Sequence, residues 1–97
     1  MSKNPYEAMF IVKPNLSDAD VQKIADSFKS VVEDNGGSVS EAGRWDKRRL
    51  SYPIDGHRDG TYVLMKFDAP ADVPQELSRL LRIHDDVIRH RVFRMDQ

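Results

Sequence analysis

Between residues 17 and 54 the hydrophobic pattern changes period once, and that change limits the kind of fold the chain can adopt. Val21, Ile24, Ala25, Phe28, Val31 and Val32 recur at the three-and-four spacing of a helix. Ser17 suits the N-cap, with Asp20 three residues on as a weak capping box, and Gly36-Gly37 supplies the stop. From Ser38 to Ile54 the pattern alternates instead, clearest where Leu50, Tyr52 and Ile54 oppose Lys47, Arg49 and Ser51. A helix is therefore followed directly by a strand long enough for its far half to leave the sheet as one arm of a hairpin.

The flanking sequence supplies the remaining elements. Tyr6 to Val12 is apolar except for Glu7 and is stopped by Pro14-Asn15, which predicts a central strand. Asp55 to Gly60 is expected to form the hairpin turn and Thr61 to Asp68 the returning strand. A second helix is predicted after Asp72 as cap, with Pro74 in its first turn and Val73, Leu77, Leu80 and Leu81 as its buried stripe. Val87 to Met95 is the last strand. The order strand, helix, strand, strand, helix, strand predicts an α+β fold with two right-handed crossovers. This is the ferredoxin-like split βαβ: a four-stranded antiparallel sheet with two helices on one face. At 97 residues the chain is expected to form one domain, 1–97, with a projecting hairpin at about 44–62. Both helices lie on one face, so the opposite face is left for solvent or a partner.

The composition removes several classes of function. The sequence contains no cysteine, which excludes a disulfide framework, a thiol nucleophile and Cys-based zinc sites. His57, His84 and His90 fall in a loop, after a helix and in a strand, without the short spacing that puts two metal ligands on one face. Asp18 with Asp20 and Asp85 with Asp86 are accounted for by helix-start and turn chemistry. Small phosphatases of this fold hold phosphate in a Gly-rich loop after the first strand, with an arginine nearby. The same position here reads Lys13-Pro14-Asn15-Leu16-Ser17, with neither glycine nor arginine. No enzymatic activity, cofactor, metal or small-molecule substrate is expected. The N-terminus shows no signal-peptide core and the longest uninterrupted apolar run is Ala8 to Val12, so a cytoplasmic protein without a membrane partner is expected.

The formal net charge of −1 would count against nucleic acid if the charge were evenly spread. It is not. Residues 1 to 43 carry net −3 with no arginine, and residues 44 to 97 carry net +2 with all nine arginines. One cluster, net +3, comprises Arg44, Lys47, Arg48, Arg49 and Arg58 against Asp46 and Asp55. A second, also +3, runs from Arg79 to Arg94 and includes Arg82, Arg89 and Arg91. Arginine bonds phosphate bidentately and stacks on bases. The predicted RNA-binding set is therefore Arg44, Lys47, Arg48, Arg49, Arg58, Arg82, Arg89 and Arg91.

An RNA-recognition motif shares the element order, but its third strand carries exposed aromatics for base stacking. Residues 59 to 67 here match only in fragments. Val63, Met65 and Phe67 fall on one face, and Tyr62, Leu64 and Lys66 on the other, joined there by Met9 and Ile11. That open face is apolar enough to receive a protein, and Trp45, Tyr52, Tyr62 and Leu64 are the predicted partner-binding residues.

The residues also carry a family resemblance. Lys47-Arg48-Arg49-Leu50-Ser51-Tyr52-Pro53-Ile54, Gly60-Thr61-Tyr62, Tyr6-Glu7 with Pro14-Asn15-Leu16, and Leu81 through Arg89 together resemble the family of the sixth protein of the bacterial small ribosomal subunit. The resemblance implies the same fold and no catalytic activity. It further implies a place in the ribosome, and binding to small-subunit ribosomal RNA together with ribosomal protein number eighteen of that subunit. Arg48, Arg49, Leu50, Tyr52, Pro53 and Ile54 match its hairpin motif, and Arg82, Asp85 and Arg89 a second one. The competing expectation is a protein–protein regulatory domain of the same fold with no RNA role.

Overall fold

The computed structural model describes residues 3–54 and 56–95, with the side chains of residues 42–45 outside that description. In chain order the elements are β1 (Asn4–Val12), α1 (Asp18–Asp34), β2 (Ser38–Ile54), β3 (His57–Ala69), α2 (Val73–Ile83) and β4 (Val87–Arg94). The described strands form a four-stranded sheet in the order β2-β3-β1-β4, with every pairing antiparallel. β1 and β2 flank β3, and β3 and β4 flank β1, so each helical crossover skips one strand, as the split βαβ requires.

The core lies between the sheet and the two helices. Tyr6, Ala8, Phe10 and Val12 from β1 and Val63, Met65, Phe67 and Ala69 from β3 face the stripes Val21, Ile24, Ala25, Phe28, Val32 of α1 and Val73, Leu77, Leu81 of α2. Phe28 meets Phe10 edge-on at 5.4 Å between ring centroids, and Tyr6 stacks on Phe67 at 5.6 Å. Such pairs add to the stability that area burial alone supplies.

The two ends of α1 show how local chemistry sets its limits. The Asp20 amide donates to Ser17 Oγ at 3.2 Å, the expected N-cap bond. At the other end the Gly36 amide donates to the Glu33 carbonyl at 3.2 Å and the Gly37 amide to Val32 at 2.9 Å, with Gly36 at φ 88°. This is the Schellman pattern, and only Gly36 needs glycine for its backbone angle. Gly37 is glycine for a different reason. A Cβ there would stand 2.5 Å from Val32 Cγ1 and 2.9 Å from the Asp68 carbonyl oxygen. Gly37→Ala is therefore expected to cost about 1–3 kcal/mol by overpacking. Urea titration reads this as a lowered midpoint with unchanged slope, and an unchanged midpoint would refute it.

Three sequence expectations change. Asp72 does not cap α2: its backbone is already helical (φ −84°, ψ −16°), its side chain makes no cap bond, and the Val73 amide donates to Pro70 instead. The hairpin turn is shorter than Asp55 to Gly60. Ile54 pairs with His57, and Gly56 at φ 81° supplies the left-handed conformation that tight hairpin loops use, while Asp55 lies outside the described residues. Gly60 consequently sits inside β3, opposite Arg48. Finally, the alternation of β2 is interrupted by register shifts between Val39 and Glu41, Glu41 and Arg44, and Arg49 and Ile54. Bulges of this kind bend and twist a long ribbon, and the strict period of two does not carry from Leu50 through to Ile54.

Candidate nucleic-acid interface

The antiparallel register lays out the face of the sheet away from the helices in rows. Ile11 lies between Tyr62 and Arg89, Met9 between Leu64 and Arg91, and Glu7 between Lys66 and Phe93. Arg48 extends this face onto the arm, opposite Gly60. The middle of the face is apolar and largely closed: Ile11 is buried, Met9, Tyr62, Leu64 and Phe93 are half-buried, and Leu50 from the arm is buried too. Gly60 makes this closure possible, because a Cβ there would collide with Ile11 Cγ2 and stand 3.7 Å from Leu50 Cδ2. The arginines stand at the margins, exposed.

Each of these arginines lies over an aromatic ring. The Arg48 guanidinium is 5.3 Å from the centroid of Tyr62, Arg89 is 5.7 Å from Tyr52, and Arg91 is 5.0 Å from Phe93. Arg89 also donates a hydrogen bond to the Tyr52 hydroxyl, tying the arm to β4 across 37 residues of sequence. Stacking holds a guanidinium plane in place while its edge N–H groups remain able to donate to phosphate. A shallow recess of about 350 Å³, lined by Met9, Ile11, Arg89, His90 and Arg91, lies at the β1–β4 side of the face.

The structure thus brings together only part of the predicted basic set. Arg48, Arg89 and Arg91 share the open face. Lys47 and Arg49 line a separate recess with Pro14, Asp59 and Thr61, and Lys47 Nζ is 3.7 Å from Asp18 on α1. Arg58 lies nearer the arm's tip, lining a cleft with Tyr52 and Pro53. Arg82 is in the last turn of α2 and lines a groove with Arg79, His90 and Val92. Burial, and then the charge of Arg82, push the His90 imidazole below its usual pKa. The neighbouring Arg79 is taken up by Glu76, and its hydrogen bond holds that carboxyl below the ordinary range. Of the predicted partner-binding residues, Tyr62 and Leu64 are on the open face, and Tyr52, an exposed residue, caps Arg89. Arg44 and Trp45 pair with Leu64 and Val63 along the backbone, and their side chains lie outside the described residues.

Phe93 was absent from the sequence-based set although it belongs to this face. The missing signal was register. Residues 88 to 93 of β4 are apolar or basic on both faces, and only the pairing of Ala8 with Val92 and Met9 with Arg91 shows that Val92 faces the core and Arg91 does not. Among the described residues no group of side chains could hold a metal ion, and no helix is long and apolar enough to cross a membrane.

The sequence model of the family described as "Ribosomal protein S6" matches residues 5–94. Relatives named "Small ribosomal subunit protein bS6" include that of Carboxydothermus hydrogenoformans, 48% identical over 92 residues, 95% of this chain and 96% of the relative. Another, from Desulforamulus reducens, is 43% identical over 89 residues, 92% of this chain and 94% of the relative. Among solved structures, the 30S ribosomal protein S6 of Thermotoga maritima superposes with a TM-score of 0.85 at 25% identity, covering 96% of this chain and 88% of that one. The C-terminal domain of the MgtC protein of Mycobacterium tuberculosis, at a TM-score of 0.60 and 11% identity, shares the fold alone.

Proposed function

The chain belongs to the ribosomal protein S6 family, proteins of the small ribosomal subunit and not enzymes, and from this premise we propose that it binds small-subunit ribosomal RNA together with ribosomal protein number eighteen of that subunit. Its place of action is the cytoplasmic ribosome. Residues 1–97 act as one ribosomal-protein domain whose 44–62 hairpin is the RNA arm.

One observation carries this reading: Arg48 from the first basic cluster and Arg89 and Arg91 from the second, remote in sequence, flank one apolar sheet face. Arginines at the rim suit RNA phosphates, and the half-buried Met9, Tyr62 and Leu64 between them suit a protein surface. Lys47, Arg49 and Arg58 extend the phosphate contacts along the arm, Arg44 belongs to the same arm, and Arg82 serves a second strand segment beside α2. Trp45 and Tyr52 belong to the partner-binding set. With a net charge of only −1, the chain alone should hold RNA weakly and gain affinity when the partner is present.

Nuclease treatment of complexes purified through this protein tests the assignment. RNA digestion is expected to release it from the small-subunit components other than protein number eighteen, and binding to ribosomal RNA is expected to fall steeply with salt. Complexes that survive digestion unchanged would favour the protein–protein regulatory domain instead.

A further inference from the structure

The β1–α1 loop and the arm enclose a recess of about 330 Å³ whose lining includes Lys47, Arg48, Arg49, Asp59 and Thr61. Thr61 is fully buried and its Oγ1 has no hydrogen-bond partner among the described residues. Buried hydroxyls are nearly always paired, so this one keeps a donor for a group that enters the recess. Beside it Arg49 is exposed and has no ion-pair partner among the described residues. Lys47, directly across the ladder from Thr61, is held only by the exposed contact with Asp18 at 3.7 Å, a kind of pair that exchanges readily. Lys47, Arg48 and Arg49 line the recess against Asp59, with Asp18 beside Lys47 and Asp46 beside Arg48. Positive charge with a neutral hydroxyl donor set back among it is the chemistry that recognises a phosphate.

We propose that this recess takes one phosphate of the RNA backbone, with the Thr61 hydroxyl donating to a phosphate oxygen and Arg49 and Lys47 supplying the charge. The inference rests on the RNA-binding reading and goes beyond it. It makes a buried, uncharged side chain an RNA ligand and puts a phosphate beside the first loop, away from the open sheet face. Binding exchanges the exposed Lys47–Asp18 contact for one with the phosphate.

The full chain and its Thr61→Val variant, which keeps the shape and removes the hydroxyl, test this in two arms. In the first, inorganic phosphate is titrated against the amide resonances of residues 47, 49 and 61, with chloride at equal ionic strength as control. Saturating shifts with phosphate but not chloride are expected in the wild type, with about tenfold weaker binding in Thr61→Val and wild-type binding in Thr61→Ser. In the second, RNA affinity of Thr61→Val is expected to drop about tenfold with the salt slope unchanged, since no charge is lost. Thermal stability of Thr61→Val should be equal or higher, because the unpaired hydroxyl is gone. Identical responses to phosphate and chloride would overturn the proposal, as would phosphate binding with full RNA affinity in Thr61→Val. A wild type that binds no ribosomal RNA would instead overturn the reading beneath it, with the phosphate arm still deciding whether the recess is an anion site.

Discussion

Phe28→Ala is expected to lower the free energy of unfolding by about 3–5 kcal/mol, a large part of the roughly 5–15 kcal/mol that stabilises a small domain. Phe28 is 3% exposed in the middle of α1, meets Phe10 edge-on, and lies 5.8 Å from the His84 ring at the end of α2. One ring thus joins the first helix, the central strand and the turn that launches β4. Removing it leaves a cavity whose walls are a helix backbone and the fully buried Phe10, neither of which can collapse far. Because β4 carries Arg89 and Arg91, the loss should loosen the interface as well as the core. Chemical denaturation monitored by circular dichroism checks the first effect. A change under about 1 kcal/mol would mean that Phe28 is not the anchor its position implies.

That anchor was legible in the sequence because helical periodicity states burial directly: Val21, Ile24, Ala25, Phe28 and Val32 are the buried residues of α1. The faces of β3 were equally legible, since Val63, Met65 and Phe67 alternate with Tyr62, Leu64 and Lys66 and the two sets divide cleanly between core and open face. Features that depend on pairing between strands were not. Whether the turn takes two residues or six is decided by where the ladder closes, and the ladder closes at Ile54 with His57. Gly60 looked like part of the turn, yet it answers to a steric demand from Ile11, 49 residues earlier in the chain. The facing of β4 was open for the same reason, because a strand with Arg89, His90 and Arg91 in succession has no apolar alternation to read. Charge clusters were visible as segments; that Arg48, Arg89 and Arg91 share one face, while Lys47 and Arg49 face another recess, is a fact of register.

Replacing Arg48 and Arg49 together by Ala is expected to weaken binding to small-subunit ribosomal RNA about ten- to a hundredfold at moderate salt, and to reduce the slope of log affinity against log salt by about 2. The two are neighbours in sequence but occupy different settings. Arg48 stacks on Tyr62 and pairs loosely with Asp46 at 3.6 Å, whereas Arg49 lines the recess with Thr61. Neither is buried, so the double variant should stay within about 0.5 kcal/mol of the wild type in stability, and its binding defect cannot be ascribed to unfolding. The test is a salt series rather than a single affinity. With a slope difference of about 2, the wild-type advantage should shrink about sixteenfold between about 50 mM and about 200 mM salt, and the loss should be similar for all RNA sequences, since phosphate contacts carry no base information. Parallel salt lines would show that neither Arg48 nor Arg49 makes a phosphate contact. The RNA-binding surface would then have to rest on the remaining basic residues, Arg89 and Arg91 of the open face first.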